Sequence, residues 1–95
     1  MSKMTFKVEH QLGKAEAMRR IREAAEKHKD KTAGYVKEME WTSDGARVVG
    51  TGFSGEIRVG EREVTIDADL GFPASLMPMK IQREAESWLG KQLGA

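Results

Sequence analysis

The spacing of apolar residues changes along the chain, and each change predicts a new element of secondary structure. Apolar and polar residues alternate at the start, which predicts a half-buried strand over roughly Met4–Gln11. From Lys14 to about Lys31 the apolar residues recur every three or four positions, as on one face of a helix. Gly34 follows, and glycine is common just beyond the C-terminus of a helix.

The middle of the chain predicts four more strands joined by short turns. Turn-forming residues lie at Ser43–Gly45 and Gly60–Arg62, and glycines recur from Gly50 to Gly55. We expect Arg58 and Asp67 to form a diagonal, exposed ion pair across the last hairpin. The four strands begin near Tyr35, Ala46, Glu56 and Glu63 and end near Trp41, Thr51, Val59 and Leu70.

A second helix is predicted from about Leu76 to Leu93, with Ser75 as a suitable N-cap and Pro78 in the first turn. The order is then β-α-β-β-β-β-α. This order predicts an α+β fold, in which two helices pack on one face of an antiparallel sheet of about five strands. We expect residues 1–95 to form a single domain, with the charged residues exposed on the other face of the sheet.

Composition narrows the classes of function. The 95 residues carry 16 basic and 15 acidic side chains, and a net charge of +1 argues against a nucleic-acid-binding protein. The absence of cysteine excludes disulfides and thiolate metal sites. No apolar run reaches the ~18–20 residues that span a bilayer, and no signal peptide is visible, so we expect a cytoplasmic protein without a membrane span.

Residues Gly50–Gly55 match the pattern G-x-G-x-x-G of phosphate-binding loops. In dinucleotide-binding folds that loop follows a strand and opens a helix, whose N-terminus holds the pyrophosphate. Here the pattern of a strand follows instead. We therefore expect a bend between two strands and no bound cofactor.

Two histidines and two aspartates are the candidates for chemistry. His10 beside Glu9 or Asp69 could act as a base, but no serine lies in a recognisable nucleophile context. We expect His10 to form local hydrogen bonds at a strand end and His28 to lie at the rim of the first helix. Asp67 and Asp69 share a strand face, where a solvated surface is a simpler expectation than a cation site. No catalytic residue and no metal site are predicted.

The segment from Leu70 to Ile81 concentrates large apolar residues around two prolines. One interpretation is that these side chains close one end of the core. The other is an exposed, methionine-rich patch that meets a lipid, a polymer surface or a partner chain. The candidate patch residues are Phe72, Leu76, Met77 and Met79.

Three short motifs follow one another along the chain. The first is E-H-x-L-G at positions 9–13, ahead of a charged helix. The second is G-F-S-G-x-I-x-V at 52–59, and the third is V-x-I-x-A-x-L-G at 64–71, followed by a helix with Ile81 and Leu89. In this order and spacing they resemble the small polyhydroxyalkanoic acid system family over nearly the whole chain. Phe72–Met79 departs from that family's pattern, because it is unusually rich in proline and methionine.

The resemblance implies a non-catalytic accessory protein of bacterial polyhydroxyalkanoate storage. Its expected partner is the granule surface or a granule-associated protein. The element order also resembles a shortened helix-grip fold, whose larger members enclose apolar ligands. The alternative function is therefore a carrier of a hydrophobic or hydroxyacyl ligand, in a cavity lined by Phe6, Trp41, Ile66 and Trp88. A third hypothesis, an enzyme acting on polyester intermediates with His10 as base, lacks a nucleophile.

The sequence also leaves open whether two copies of the chain associate. Edge strands expose unpaired main-chain groups that can pair with another chain. Met4–Gln11 and Ala46–Thr51 are the candidate edges, and either would allow a homodimer.

Overall fold

The computed structural model describes residues 2–34, 36–71 and 76–94. Alternation of apolar and polar residues produces the strands, and the three-to-four spacing produces the two long helices. The elements are β1 (Ser2–Glu9), α1 (Lys14–Lys27), α2 (Lys29–Thr32), β2 (Val36–Thr42), β3 (Gly45–Gly50), β4 (Phe53–Val59), β5 (Glu63–Leu70) and α3 (Pro78–Leu93).

The five strands form one antiparallel sheet in the order β1-β5-β4-β3-β2. The predicted α+β fold and its element order are confirmed, with the short α2 added after α1. β1 is an edge strand, as expected. The expectation of an edge at Ala46–Thr51 is wrong, because β3 pairs with β2 on one side and with β4 on the other. The second edge of the sheet is β2.

The first helix is shorter than predicted. α1 ends at Lys27, and His28 adopts φ −101° and ψ 12°, which interrupts the helix before α2. The reason lies in the sequence of α2, K-D-K-T, which offers the core no apolar side chain. Helices in folded proteins are stabilised mainly by packing of an apolar face against the core, and the sequence of α2 has no such face.

The last helix begins two residues later than predicted. Its N-cap position is Met77, whose side chain forms no capping hydrogen bond, and Pro78 occupies the first turn. Ser75, the predicted cap, lies outside the described residues. At the other end Gly94 adopts φ 72°, the left-handed conformation that glycine permits at the end of a helix.

The glycine-rich motif forms the hairpin between β3 and β4. Thr51 and Gly52 make the turn, and Gly52 has a φ of 78°, which favours glycine. The main-chain N–H of Gly71 donates to the carbonyl oxygen of Gly52 at 2.7 Å, so the end of β5 is fixed beside this turn. A strand and not a helix continues the chain, as predicted, but β4 begins inside the motif at Phe53, three residues earlier than the predicted start at Glu56.

The core lies between the two long helices and one face of the sheet. Ile21 on α1 and Val64 on β5 have no exposed surface, and Leu89 on α3 is 2 % exposed. The opposite face carries the predicted ion pair between Arg58 and Asp67. The core residues are Met4, Phe6, Ala17, Ile21, Val59, Val64, Leu70, Leu89 and Leu93.

Candidate functional site

Three apolar side chains project into solvent where α3 begins. Leu76 is 68 % exposed, Met77 is 52 % exposed and Met79 is 65 % exposed. The interpretation that this segment closes the core is therefore wrong for these three residues. Phe72, the fourth predicted member, lies outside the described residues. We call Leu76, Met77 and Met79 the apolar patch.

Two cations lie close to the apolar patch along α3. Lys80 and Arg83 are both exposed, and neither forms an ion pair with any residue that the structure describes. No acidic residue lies in the first turn of α3. The patch is thus an apolar surface with a basic neighbourhood. In the described part of the chain, none of the helices is both long and apolar enough to cross a membrane.

An apolar groove of about 380 Å³ runs between α3 and the sheet. Three of the four predicted cavity residues, Phe6, Ile66 and Trp88, line it. On the helix side Ile81 and Ala85 complete the wall, and both side chains are half-buried rather than fully buried. The remaining lining residues are Met4, Val48, Phe53, Ser54, Gly55, Glu56, Ile57, Ala68, Leu70 and Leu89.

Trp41, the fourth predicted cavity residue, does not line the groove. It lies on β2, and the guanidinium of Arg22 on α1 stands 5.4 Å from the centre of its ring. This cation–π contact places Trp41 under α1, whereas the groove lies under α3. The sequence predicted one cavity for both tryptophans, because the apolar pattern does not say which helix covers which strand.

Small residues explain why the groove stays open. Gly55 on β4, Ala68 on β5 and Ala85 on α3 all line it, where larger side chains would fill the space between helix and sheet. Sequence reasoning missed Phe53 because it lies within the glycine-rich motif. The spacing of Ile81, Ala85 and Trp88 along one stripe of α3 was the available indication of the helical wall.

His10 is buried at the corner between β1 and α1, where it is 5 % exposed. The N–H of Leu12 donates to His10 Nδ1 at 3.2 Å, so Nδ1 is the unprotonated acceptor. His10 Nε2 then carries the proton and donates to the carbonyl oxygen of Gly60 at 3.0 Å. Both ring nitrogens form hydrogen bonds with main-chain groups, which confirms the expected hydrogen bonding of His10 at the strand end.

The charged residues of α1 mainly form ion pairs within that helix, and those of the outer sheet face mainly form ion pairs within the sheet. The Arg19 and Arg20 guanidinium groups bond the Glu16 carboxylate and lower its pKa from 4.5 to about 2. On the sheet, Asp67 accepts hydrogen bonds from Thr5 and Arg58. Within the described residues no group of three or more histidine, aspartate or glutamate side chains could hold a metal ion.

Comparison with known protein families places the chain. Residues 4–93 match the family described as polyhydroxyalkanoic acid system protein. No curated protein matches the chain. The family match spans both long helices, β2 to β5, β1 from Met4 onward, and the segment that carries the apolar patch. The chain therefore belongs to the polyhydroxyalkanoic acid system protein family.

Proposed function

We propose that this protein is a non-catalytic accessory protein of polyhydroxyalkanoate storage, which binds the granule surface or a granule-associated protein through its apolar patch. The observation that carries the proposal is the exposure of Leu76, Met77 and Met79. A contiguous group of exposed large apolar residues is typical of an interaction site.

The physical basis of the proposed binding is burial of the three side chains. Full burial of a leucine or methionine side chain contributes about 1.5–3 kcal/mol, so partial burial of three such residues supplies several kcal/mol. Methionine suits an irregular surface, because its unbranched side chain adapts its shape. A water-insoluble polyester surface, or a protein coating it, is the kind of partner that such a patch fits.

The environment of His10 supports a non-catalytic role. A general base needs a ring nitrogen that can accept a proton from the substrate. The acceptor Nδ1 is already engaged by the N–H of Leu12, and Nε2 donates to Gly60. We therefore propose that His10 fixes the corner between β1 and α1.

The test is co-sedimentation of the purified protein with native polyhydroxyalkanoate granules, with liposomes as the comparison surface. Met77→Glu and Met79→Glu place a charge in the patch. Val49→Glu is the matched control, because Val49 is an exposed apolar residue (36 %) on the other face of the sheet.

We expect wild type and Val49→Glu to sediment with granules in preference to liposomes, and both methionine variants to stay in the supernatant. Unchanged granule binding in both methionine variants would refute the role of the patch. Binding of wild type to neither surface would refute a direct surface role, and a pull-down from polymer-producing cells would then test the granule-associated protein.

The apolar groove favours a second candidate function, the carriage of a hydrophobic or hydroxyacyl ligand. Its volume of about 380 Å³ lies within the ~300–1,000 Å³ that small-ligand sites usually enclose. Its walls are almost entirely apolar, so it would hold a hydrocarbon portion rather than a charged group. Trp88 lines the groove and would report an occupant through its fluorescence.

Trp41 must first be removed as a second source of fluorescence, and Trp41→Phe does so conservatively. In this background we expect titration with hydroxyacyl or fatty compounds to shift the Trp88 emission. Ala85→Phe, which fills the groove, should abolish the shift while the protein stays folded. No shift in the Trp41→Phe protein, or an equal shift after Ala85→Phe, would exclude the carrier.

A further inference from the structure

β1 is an edge strand with one side unpaired. Among the described residues it pairs only with β5, in continuous antiparallel register from Ser2 with Leu70 to Glu9 with Glu63. At eight residues it is as long as any strand of the sheet. A long edge of this kind can extend the sheet by pairing with another strand.

The hydrogen bonds of the structure show which residues of β1 face the free side. The N–H of His10 donates to the carbonyl oxygen of Arg62 at 2.8 Å, in continuation of the register with β5. Bonded and non-bonded pairs alternate in an antiparallel ladder, so the even-numbered residues of β1 bond to β5. A second hydrogen bond gives the same result. Gly60 N–H donates to the carbonyl oxygen of Glu63, so the odd-numbered residues of β5 bond to β4 and its even-numbered residues are left to bond to β1. The residues whose main-chain groups face the free edge are Lys3, Thr5, Lys7 and Glu9.

The side chains of these four residues carry a charge pattern that is complementary to itself. Lys3 and Glu9 are exposed, and neither forms an ion pair within the described parts of the chain. We propose that β1 pairs antiparallel with β1 of a second copy, with the two-fold axis at Phe6. Lys3 of each copy then lies opposite Glu9 of the other, and Thr5 lies opposite Lys7.

The two neighbouring registers are disfavoured by charge. Registers centred on Met4 or Val8 create no like-charge pair but overlap fewer residues of β1. The main-chain groups that face the free edge belong to odd-numbered residues, so each odd-numbered residue of one copy must lie opposite an odd-numbered residue of the other. A symmetric pair of strands can therefore have its two-fold axis only at a residue and not between two residues. A two-fold axis at Thr5 places Lys3 opposite Lys7, and an axis at Lys7 places two copies of Lys7 together. Like charges directly opposite destabilise a strand pair. The register centred on Phe6 avoids both and overlaps the whole of Lys3–Glu9.

α3 packs against β1, so a two-fold axis through Phe6 brings the two copies of α3 near each other in antiparallel orientation. The pairing uses the edge of the sheet and does not depend on what the apolar patch binds.

Sedimentation equilibrium of the full chain across a wide range of concentration tests this interface. Lys3→Glu and Glu9→Lys each create two like-charge pairs in the dimer, and the double variant restores opposite charges. Thr5→Pro removes a main-chain N–H that faces the free edge, whereas its control Thr5→Ala keeps it. Proline is tolerated on an edge strand at such a position, so the fold should survive in both.

We expect wild type to dimerise, and each single charge reversal to raise the dissociation constant about tenfold, as two unfavourable pairs replace two favourable ones. The double variant should return to within about threefold of wild type, and Thr5→Pro should weaken the dimer much more than Thr5→Ala. A wild type that stays monomeric at all concentrations would overturn the proposal. So would a dimer that is insensitive to both the charge reversals and Thr5→Pro.

Discussion

The two halves of α3 meet the rest of the protein differently. At the C-terminal half Leu89 and Leu93 are each 2 % exposed and pack into the core. At the N-terminal half Ile81 and Ala85 are half-buried beside an open groove, and Met79 is 65 % exposed. We call the part of α3 around Leu89 and Leu93 the closed end and the part around Met77 and Met79 the open end. The groove extends along both, because Trp88 and Leu89 also line it.

The difference has a cause in residue size and position. Ile21 on α1 and Val64 on β5 are fully buried in the core cluster that also contains Leu89 and Leu93. Along Ile81, Ala85 and Trp88, the small residues Gly55 and Ala68 leave the groove open. Large contacting side chains stabilise a fold, whereas exposed apolar residues contribute little to stability and are available for binding. We infer that the closed end supplies stability and the open end supplies the interaction.

The largest expected effect concerns the closed end. Leu89→Ala should lower the free energy of unfolding by about 2–5 kcal/mol, because it removes a buried side chain and leaves a cavity. Met79→Ala, on the same helix, should change it by less than about 0.5 kcal/mol. Urea denaturation followed by circular dichroism measures both. Equal losses in the two variants would remove the distinction between the two ends.

The next effect concerns the corner beside the closed end. His10→Ala leaves the Leu12 N–H and the Gly60 carbonyl oxygen without their partner, which should cost about 1–3 kcal/mol of unfolding free energy. Gln11→Ala is the control, because the neighbouring Gln11 is exposed. Urea denaturation followed by circular dichroism measures the unfolding free energy of both variants. A neutral His10→Ala would mean that the corner does not need these hydrogen bonds.

A smaller effect is the pH dependence that Glu16 adds to α1. Its pKa falls from 4.5 in the unfolded chain to about 2 in the folded protein, through hydrogen bonds from Arg19 and Arg20. The lowered pKa stabilises the fold above pH 4.5, and this stabilisation disappears as the pH falls towards 2. Glu16→Gln should therefore be less stable than wild type at pH 7 and equal to it near pH 2. A difference that is constant with pH would show that the carboxylate charge contributes nothing.

The smallest expected effect on stability belongs to the open end. Met77→Glu and Met79→Glu should stay within about 0.5 kcal/mol of wild type, because both side chains already lie in water. A carboxylate at Met79 should even be mildly favourable, since it lies in the first turn of α3 near the positive end of the helix dipole. Thermal denaturation checks both variants. A large loss would show that the methionines are part of the core after all.

The sequence predicted the elements and their order well, because the two spacings of apolar residues are unambiguous in β1, α1 and β5. It did not predict which helix covers which strand, so it places Trp41 and Trp88 in one cavity, although Trp41 lies beneath α1 and Trp88 lines the groove from α3. It misplaced an edge strand for a related reason, since strand order depends on pairing between distant segments. The exposure of Met77 and Met79 stayed open, because an apolar run by itself fits either a core or a binding surface.

The most direct measurement compares unfolding free energy and granule co-sedimentation on the same two variants, Leu89→Ala and Met77→Glu. We expect Leu89→Ala to lose several kcal/mol of stability and still sediment with granules under conditions where it is folded. We expect Met77→Glu to keep its stability and lose granule association. A Met77→Glu protein that binds granules as wild type does would contradict the division of α3 into a stabilising end and an interacting end.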